Sequence, residues 1–136
     1  MKEHKYHGSG KLHTKRFDQV GLFRDNRFMH GRIKFSDGSS YEGSIENGVK
    51  AGRGTFIGKD GTRYEGFFKY DKLEGVGEVT YKDGTTYKGN FRDGVYHGKG
   101  NLRQHDEGRL ALEYEGDFVD GIFDGYGKLR VPDTGD

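Results

Sequence analysis

Tyr64-Glu65-Gly66-Phe67-Phe68-Lys69 is followed after five residues by Gly75-Val76-Gly77-Glu78-Val79-Thr80-Tyr81 and then by Lys82-Asp83-Gly84. Side chains of an extended strand alternate between its two faces. Tyr64, Gly66 and Phe68 therefore share one face, and Gly75, Gly77, Val79 and Tyr81 share one in the next strand. Two such segments make one β-hairpin. Its exit carries Gly84, which supplies the positive φ of a tight turn, and Lys59-Asp60-Gly61 does the same one hairpin earlier. Glycine inside a strand ordinarily weakens it, so glycine on an inward face calls for a neighbour that uses the gap. The expected neighbour is an aromatic ring from a neighbouring strand, lying flat over the bare backbone.

Working outward, the same landmarks return every 23 residues. Tyr41-Glu42-Gly43 opens residues 41–63, Tyr64-Glu65-Gly66 opens 64–86, Tyr87-Lys88-Gly89 opens 87–113 and Tyr114-Glu115-Gly116 opens 114–136. Each unit places an apolar residue two after its first glycine (Ile45, Phe68, Phe91, Phe118). A Gly-x-Gly pair follows (Gly52/Gly54, Gly75/Gly77, Gly98/Gly100, Gly125/Gly127), then an apolar position two further on. Upstream, Gly21, Phe23, Gly31, Ile33, Phe35 and Asp37-Gly38 fit a shortened unit at about 19–40 with Gln19 in the tyrosine position. Tyr6-His7-Gly8-Ser9-Gly10-Lys11-Leu12 copies Tyr96-His97-Gly98-Lys99-Gly100-Asn101-Leu102, so residues 1–18 read as the second half of a still earlier unit. A repeat of this length fixes the architecture before any local detail does.

The pattern Tyr-Glu-Gly-x-Phe-x-x-Gly-x-x-x-Gly-x-Gly, closed by Asp-Gly, resembles the MORN (membrane occupation and recognition nexus) repeat. The departures are Gln19, Asn26 and Asp71-Lys72 where a hairpin glycine is expected, and four additional residues in the unit 87–113. The expected fold is all-β: an elongated, twisted single-layer antiparallel sheet of tandem hairpins, forming one domain over residues 1–136. About ten strands at ~4.8 Å each would extend on the order of 45 Å. In the long unit, Leu110, Leu112, Tyr114, Gly116 and Phe118 fall on one face. The spacing predicts a lengthened hairpin with its tip at His105-Asp106-Glu107-Gly108, carrying Leu110 and Leu112 outward.

Composition agrees with a folded repeat protein. Of 136 residues 25 are Gly, 1 is Pro and none is Cys, and 30% are hydrophobic, yet nine Tyr and ten Phe argue against a disordered chain. A formal net charge of +1 removes the electrostatic case for nucleic acid. Without cysteine there is no disulfide framework and no thiolate chemistry, and no apolar run reaches signal-peptide or membrane-span length. The expectation is a soluble cytoplasmic protein, free or held at cytoskeleton or membrane. A search for catalytic, cofactor or metal residues finds none. There is no Gly-x-Ser-x-Gly, Walker loop or His-Glu-x-x-His, and each Gly-x-Gly leads into a strand rather than opening a helix. His4, His7 and His13 lack Cys or carboxylates at ligand spacing, and the Asp-Gly pairs lack the alternating carboxylates of a calcium loop.

Two surfaces remain as candidates for binding. Tyr41, Tyr64, Phe68, Tyr81, Tyr87, Phe91, Tyr114 and Phe118 form an aromatic face that no helical segment covers, expected to be a groove for a peptide or helix of a partner protein. Phe28, Met29, Val49, Leu73, Tyr96 and Phe123 recur at the hairpin tips as an apolar ridge that either folds back over the sheet or contacts the partner. The opposite face mixes charges. Its Lys88, Arg92, Lys99, Arg103, Lys128 and Arg130 are the basis of an alternative reading as a phospholipid-binding module, which the resemblance also suggests, with Glu115 and Asp117 diluting the field. The same resemblance implies that such repeats can accompany other domains in longer proteins. An unpaired strand at either end can pair with a second copy of the chain.

Overall fold

Alternating apolar and polar side chains, broken at fixed points by glycine and Asp-Gly, make every segment a short strand that turns back on its predecessor. The computed structural model describes residues 8–132. It places β1 (Gly8–His13), β2 (Phe17–Arg24), β3 (Arg27–Phe35), β4 (Ser40–Glu46), β5 (Val49–Ile57), β6 (Arg63–Lys69), β7 (Lys72–Thr80), β8 (Thr86–Arg92), β9 (Val95–Asp106), β10 (Arg109–Val119) and β11 (Ile122–Arg130) in one open antiparallel sheet, in sequence order. No helix occurs among the described residues.

One edge of the sheet carries two-residue turns, Asp25-Asn26, Asn47-Gly48, Tyr70-Asp71, Asp93-Gly94 and Asp120-Gly121, with positive φ at both positions of each. That is the conformation matching the twist of a two-residue hairpin. The third turn falls at Tyr70-Asp71, 23 residues after Asn47-Gly48 and before Asp93-Gly94, so Asp71 holds the hairpin-glycine position and Lys72 already opens β7. These tips interlock along the edge. The amides of Asp71, Gly94 and Gly121 donate to the carbonyls of Lys50, Leu73 and Tyr96 of the preceding hairpin, at 3.1, 2.9 and 2.8 Å.

The other edge carries the Asp-Gly connectors. The Asp37, Asp60 and Asp83 carboxylates accept backbone N–H bonds from Ser39, Thr62 and Thr85 at 2.8–2.9 Å, and these three hydroxyl residues are buried. The Ser39 hydroxyl, then its amide, holds Asp37 below the usual carboxylate range; for Asp60 and Asp83 the amide of the threonine leads.

A continuous row of paired glycines crosses the whole sheet: Gly10, Gly21, Gly31, Gly43, Gly54, Gly66, Gly77, Gly89, Gly100, Gly116 and Gly127. Rings from the same face lie over it. A Cβ at Gly54, Gly100 or Gly127 would collide with the ring of Tyr41, Tyr87 or Tyr114, and one at Gly77 would press on Phe91. The first glycine of each Gly-x-Gly pair has a different task, which corrects the expectation that both line the inner face. Gly52, Gly75, Gly98 and Gly125 adopt φ of +77 to +85° at a bulge where three residues oppose one: Ala51–Arg53, for instance, face Ser44 alone. A side chain at Gly52, Gly98 or Gly125 would turn toward Ser44, Asn90 or Asp117 on the other face. Bulges bend strands, and here the bend brings the tip half of each hairpin over its base half.

The long unit is extended, as its spacing predicts, with the turn at Glu107-Gly108. A register shift between Leu110 and Leu112 breaks the continuous parity at Ala111. Leu112, on the Tyr114 side of the shift, keeps the inward parity and joins the core margin instead of projecting outward, and Leu110 beyond the shift is half-buried. The lengthened β9 runs beside the 82–85 connector, where the His105 amide donates to the Thr85 hydroxyl at 2.9 Å.

Two outcomes follow. Gly100→Ala drives a methyl into the Tyr87 ring and should cost about 3 kcal/mol or more, whereas Gly108→Ala, in open space at φ +80°, should cost about 1 kcal/mol; urea unfolding of the two variants checks the ranking. The lowered carboxylates contribute stability above their unfolded value of about 3.9, and it is lost as pH falls through the lower folded values. The stability gap between wild type and Asp60→Asn/Asp83→Asn, read from thermal melts, should therefore narrow progressively as pH falls below about 3.9.

Candidate functional site

The inner face of the sheet holds the residues that sequence reasoning singled out, and packs them into a core. Tyr41, Phe68, Tyr87, Phe91, Tyr114 and Phe118 are all buried, Tyr87 completely. The Tyr41, Tyr87 and Tyr114 hydroxyls donate to the carbonyls of Ser44, Asn90 and Asp117, three residues on, at 2.8, 2.7 and 3.0 Å. This bond explains tyrosine rather than phenylalanine at the head of the repeat: the ring covers glycine while the hydroxyl satisfies a carbonyl beside the bulge. Burial pushes Tyr41 and Tyr87 up to about 12.

The tip residues belong to the same layer. Phe28 and Leu73 are buried opposite Phe23 and Phe68, Tyr96 stacks on Tyr87 with centroids 3.7 Å apart, and Phe123 stacks on Tyr114 at 4.1 Å. Ridge and groove are thus one surface. Met29, the additional residue at the β2–β3 register shift, and Val49, at the strand start, are half-buried. By register the residue equivalent to Leu73, Tyr96 and Phe123 is Lys50, opposite Ile45, and not Val49.

Lys50 changes the site. Its amine lies 4.5 Å from the Phe56 ring centroid and 5.6 Å from that of Tyr41, and pairs with Asp71 at 3.6 Å. The Lys50 amide also donates to the Asp71 carboxylate at 2.7 Å, so the charge is anchored on both sides. Around it the inner face opens into a trough. A cavity of about 490 Å³ is lined by Leu12, Phe17, Ile33, Phe35 and Ile45, and a second of about 240 Å³ by Phe56, Tyr64, Phe68 and Leu73; Lys50 and Asp71 line both.

Tyr64 departs from the other three heads of repeat. It is half-buried beside Phe56, centroids 5.9 Å apart, while Phe91 takes the place over Gly77. Burial, then the neighbouring Tyr81 and Asp60, raise Tyr64 above the usual phenol range. Tyr81, also half-buried, shares a hydroxyl–hydroxyl bond of 2.5 Å with Tyr96, whose own ionisation is pushed far up by burial and by that bond. Sequence reasoning missed Phe17, Phe35, Phe56 and Lys50 as trough residues. The available signals were the apolar position after each Gly-x-Gly, which gives Phe56, and a single charge at the tip position that is otherwise apolar.

The outer face is polar with local exceptions. Lys99 pairs with Asp117 at 3.0 Å and Arg103 with Glu113 at 3.2 Å, and the Arg53 guanidinium lies over Phe67 at 5.3 Å. Lys88, Lys99 and Lys128 border a shallow concavity with Glu115 and Tyr126. Among the described residues no group of three or more His, Asp or Glu could hold a metal ion. His13 pairs with Asp18, while His4 and His7 lie outside the described residues.

Tyrosine over glycine, a bulge at the first glycine of each pair and an Asp-Gly connector together define a tandem β-hairpin repeat protein. The MORN repeat model matches residues 41–63, 64–86, 87–108 and 114–134, and the chain belongs to the MORN repeat family. A comparison with curated proteins finds no match.

The raised phenols set an alkaline limit. Their stabilising effect is intact below the unfolded tyrosine value of about 10 and is lost as pH rises through the folded value of about 12. Absorbance at 295 nm should show Tyr41 and Tyr87 ionising in a cooperative step coincident with loss of the β-sheet dichroism.

Proposed function

We propose that this chain is a non-catalytic protein-binding scaffold whose inner trough docks a peptide or helix of a partner protein, and so tethers that partner to cytoskeleton or membrane. The observation behind this reading is the apolar concavity of the N-terminal half, from Leu12 and Phe17 past Lys50 and Asp71 to Phe56 and Tyr64. Apolar walls with a few polar groups at one place suit an anchor that needs orientation as well as burial. The contact residues in this proposal are the half-buried Phe17, Phe35, Phe56 and Tyr64. The buried Tyr41, Phe68, Tyr87, Phe91, Tyr114 and Phe118 form the floor, and Tyr81 and the tip residues Phe28, Leu73, Tyr96 and Phe123 stiffen it.

Phospholipid binding through the outer face is the second reading. It draws support from Lys88, Lys99 and Lys128 around one concavity and is weakened by Glu115 beside them and by the ion pairs that occupy Lys99 and Arg103.

Peptides selected on the intact chain by display, then measured by calorimetry, provide the test. Phe35→Ser and Phe56→Ser should each weaken binding about thirtyfold, roughly 2 kcal/mol, while Lys99→Glu leaves it unchanged. Thermal melts of each variant separate lost binding from lost fold. Peptide affinity insensitive to Phe35 and Phe56, together with anionic-vesicle binding abolished by Lys99→Glu/Arg103→Glu, would replace the scaffold reading with the lipid one.

A further inference from the structure

One junction between successive hairpin tips is left open. The amides of Asp71, Gly94 and Gly121 each bond to the hairpin before, and no such bond among the described residues joins Gly48 to the β2–β3 tip. The ladders agree. Between β5 and β6, β7 and β8, and β9 and β10, pairing runs out to Gly52–Phe68, Gly75–Phe91 and Gly98–Phe118. Between β3 and β4 it stops at His30–Ser44, and Ile45 has no partner on β3. The shortened unit is the cause. Phe28 stands three residues before Gly31 of the glycine row, whereas Lys50, Leu73 and Tyr96 stand four before Gly54, Gly77 and Gly100, with a bulge glycine between. Without that bend the first tip does not close against the second, and the tip edge is split there.

The larger cavity of the trough, about 490 Å³, runs into this split, with Phe28 and Met29 on one side and Ile45 and Gly48 on the other. Its charged groups are unbalanced. The Arg27 guanidinium forms no ion pair among the described residues, and the Lys50 amine adds a second cation. Asp71 is the one carboxylate on the lining and is already engaged, accepting from the Lys50 amide at 2.7 Å and facing its amine at 3.6 Å. The Gly48 amide, without the acceptor that its counterparts have, is a further donor. Two cations and a bare amide beside apolar walls suit an anionic acceptor, which turns each of these contacts into a charge-assisted hydrogen bond.

The geometry points to the split as the seat of an Asp or Glu side chain carried within the segment that the trough docks, an assignment that rests on the peptide-binding reading above. A side chain, rather than a chain terminus, follows from continuity. Lys50 and Asp71 line both cavities, so a segment that fills both passes over them and carries its acid in the middle. A terminal carboxylate at the split would leave the smaller cavity empty. The element recognised is an acidic residue flanked by apolar anchors, one against Phe17 and Phe35 and the other against Phe56 and Tyr64.

Peptides selected by display on the intact chain, each then synthesised with a free and with an amidated C-terminus, supply the test by calorimetry. Selected peptides should share one Asp or Glu between apolar residues. Replacing it by Asn or Gln should weaken binding about tenfold, and amidating the C-terminus should leave affinity unchanged. Arg27→Ala, at an exposed position whose loss leaves the thermal melt unchanged, should cost the acidic peptide a similar factor and the Asn or Gln peptide little. Peptides that depend on Phe35 and Phe56 but are indifferent to their own acid or to Arg27 would overturn this proposal and leave the scaffold reading standing. Affinity lost on amidation would also overturn it, by assigning the split to a chain terminus. Failure to select any peptide that depends on Phe35 and Phe56 would overturn both.

Discussion

Where Tyr41, Tyr87 and Tyr114 lie across Gly54, Gly100 and Gly127, the ring stands in the volume a Cβ would need, and its hydroxyl reaches a backbone carbonyl three residues on. This contact answers the central difficulty of a single-layer sheet, which has no second layer to cover its apolar face. A ring lying flat on bare backbone is buried from below. The hairpin tip, bent inward at the bulge, buries it from above, as Tyr96 does over Tyr87. Burying an aromatic side chain contributes about 2–3 kcal/mol, so a few such sandwiches let a chain that is only 30% hydrophobic hold a core. Both halves of the device rely on glycine, for opposite reasons: one glycine leaves room for the ring, and the other supplies the left-handed backbone that turns the tip over it.

Regular stacking by itself would give a filled inner face with nothing to bind. What opens it is the irregularity of individual repeats. Lys50 stands where its counterparts are apolar, Tyr64 leaves the glycine row to Phe91, and the shortened unit around β2 and β3 has Gln19 where a tyrosine ring would lie. These departures gather on the N-terminal side of the sheet and leave the trough there, while the C-terminal half fills itself with its own stacked rings. A repeat sheet of this kind separates two tasks that compete in a compact domain. The repeated residues maintain the sheet, and the exceptional ones shape a surface.

The two edges parallel to the repeat axis are closed in different ways. On one, tip amides bond to the carbonyls of the preceding hairpin; on the other, connector aspartates cap the amides of buried Ser39, Thr62 and Thr85. Backbone groups that would otherwise be unpaired are thus satisfied between successive hairpins on one edge and within each connector on the other.

Much of this was legible in the residues alone. The 23-residue recurrence of Tyr-x-Gly, Gly-x-Gly and Asp-Gly fixed the hairpins, their antiparallel order and the pairing of rings with inward glycines, because strand parity and turn stereochemistry act over a few residues and leave local signatures. The sequence could not separate the two glycines of each pair, since a bulge opposing three residues to one alters direction without altering spacing. Nor could it say that Tyr41, Tyr87 and Phe118 are sealed while Phe56 and Tyr64 remain reachable, or that Lys50 and Val49 exchange places at the tip. Burial and register depend on which side chains arrive from neighbouring strands, and tertiary packing alone determines those arrivals.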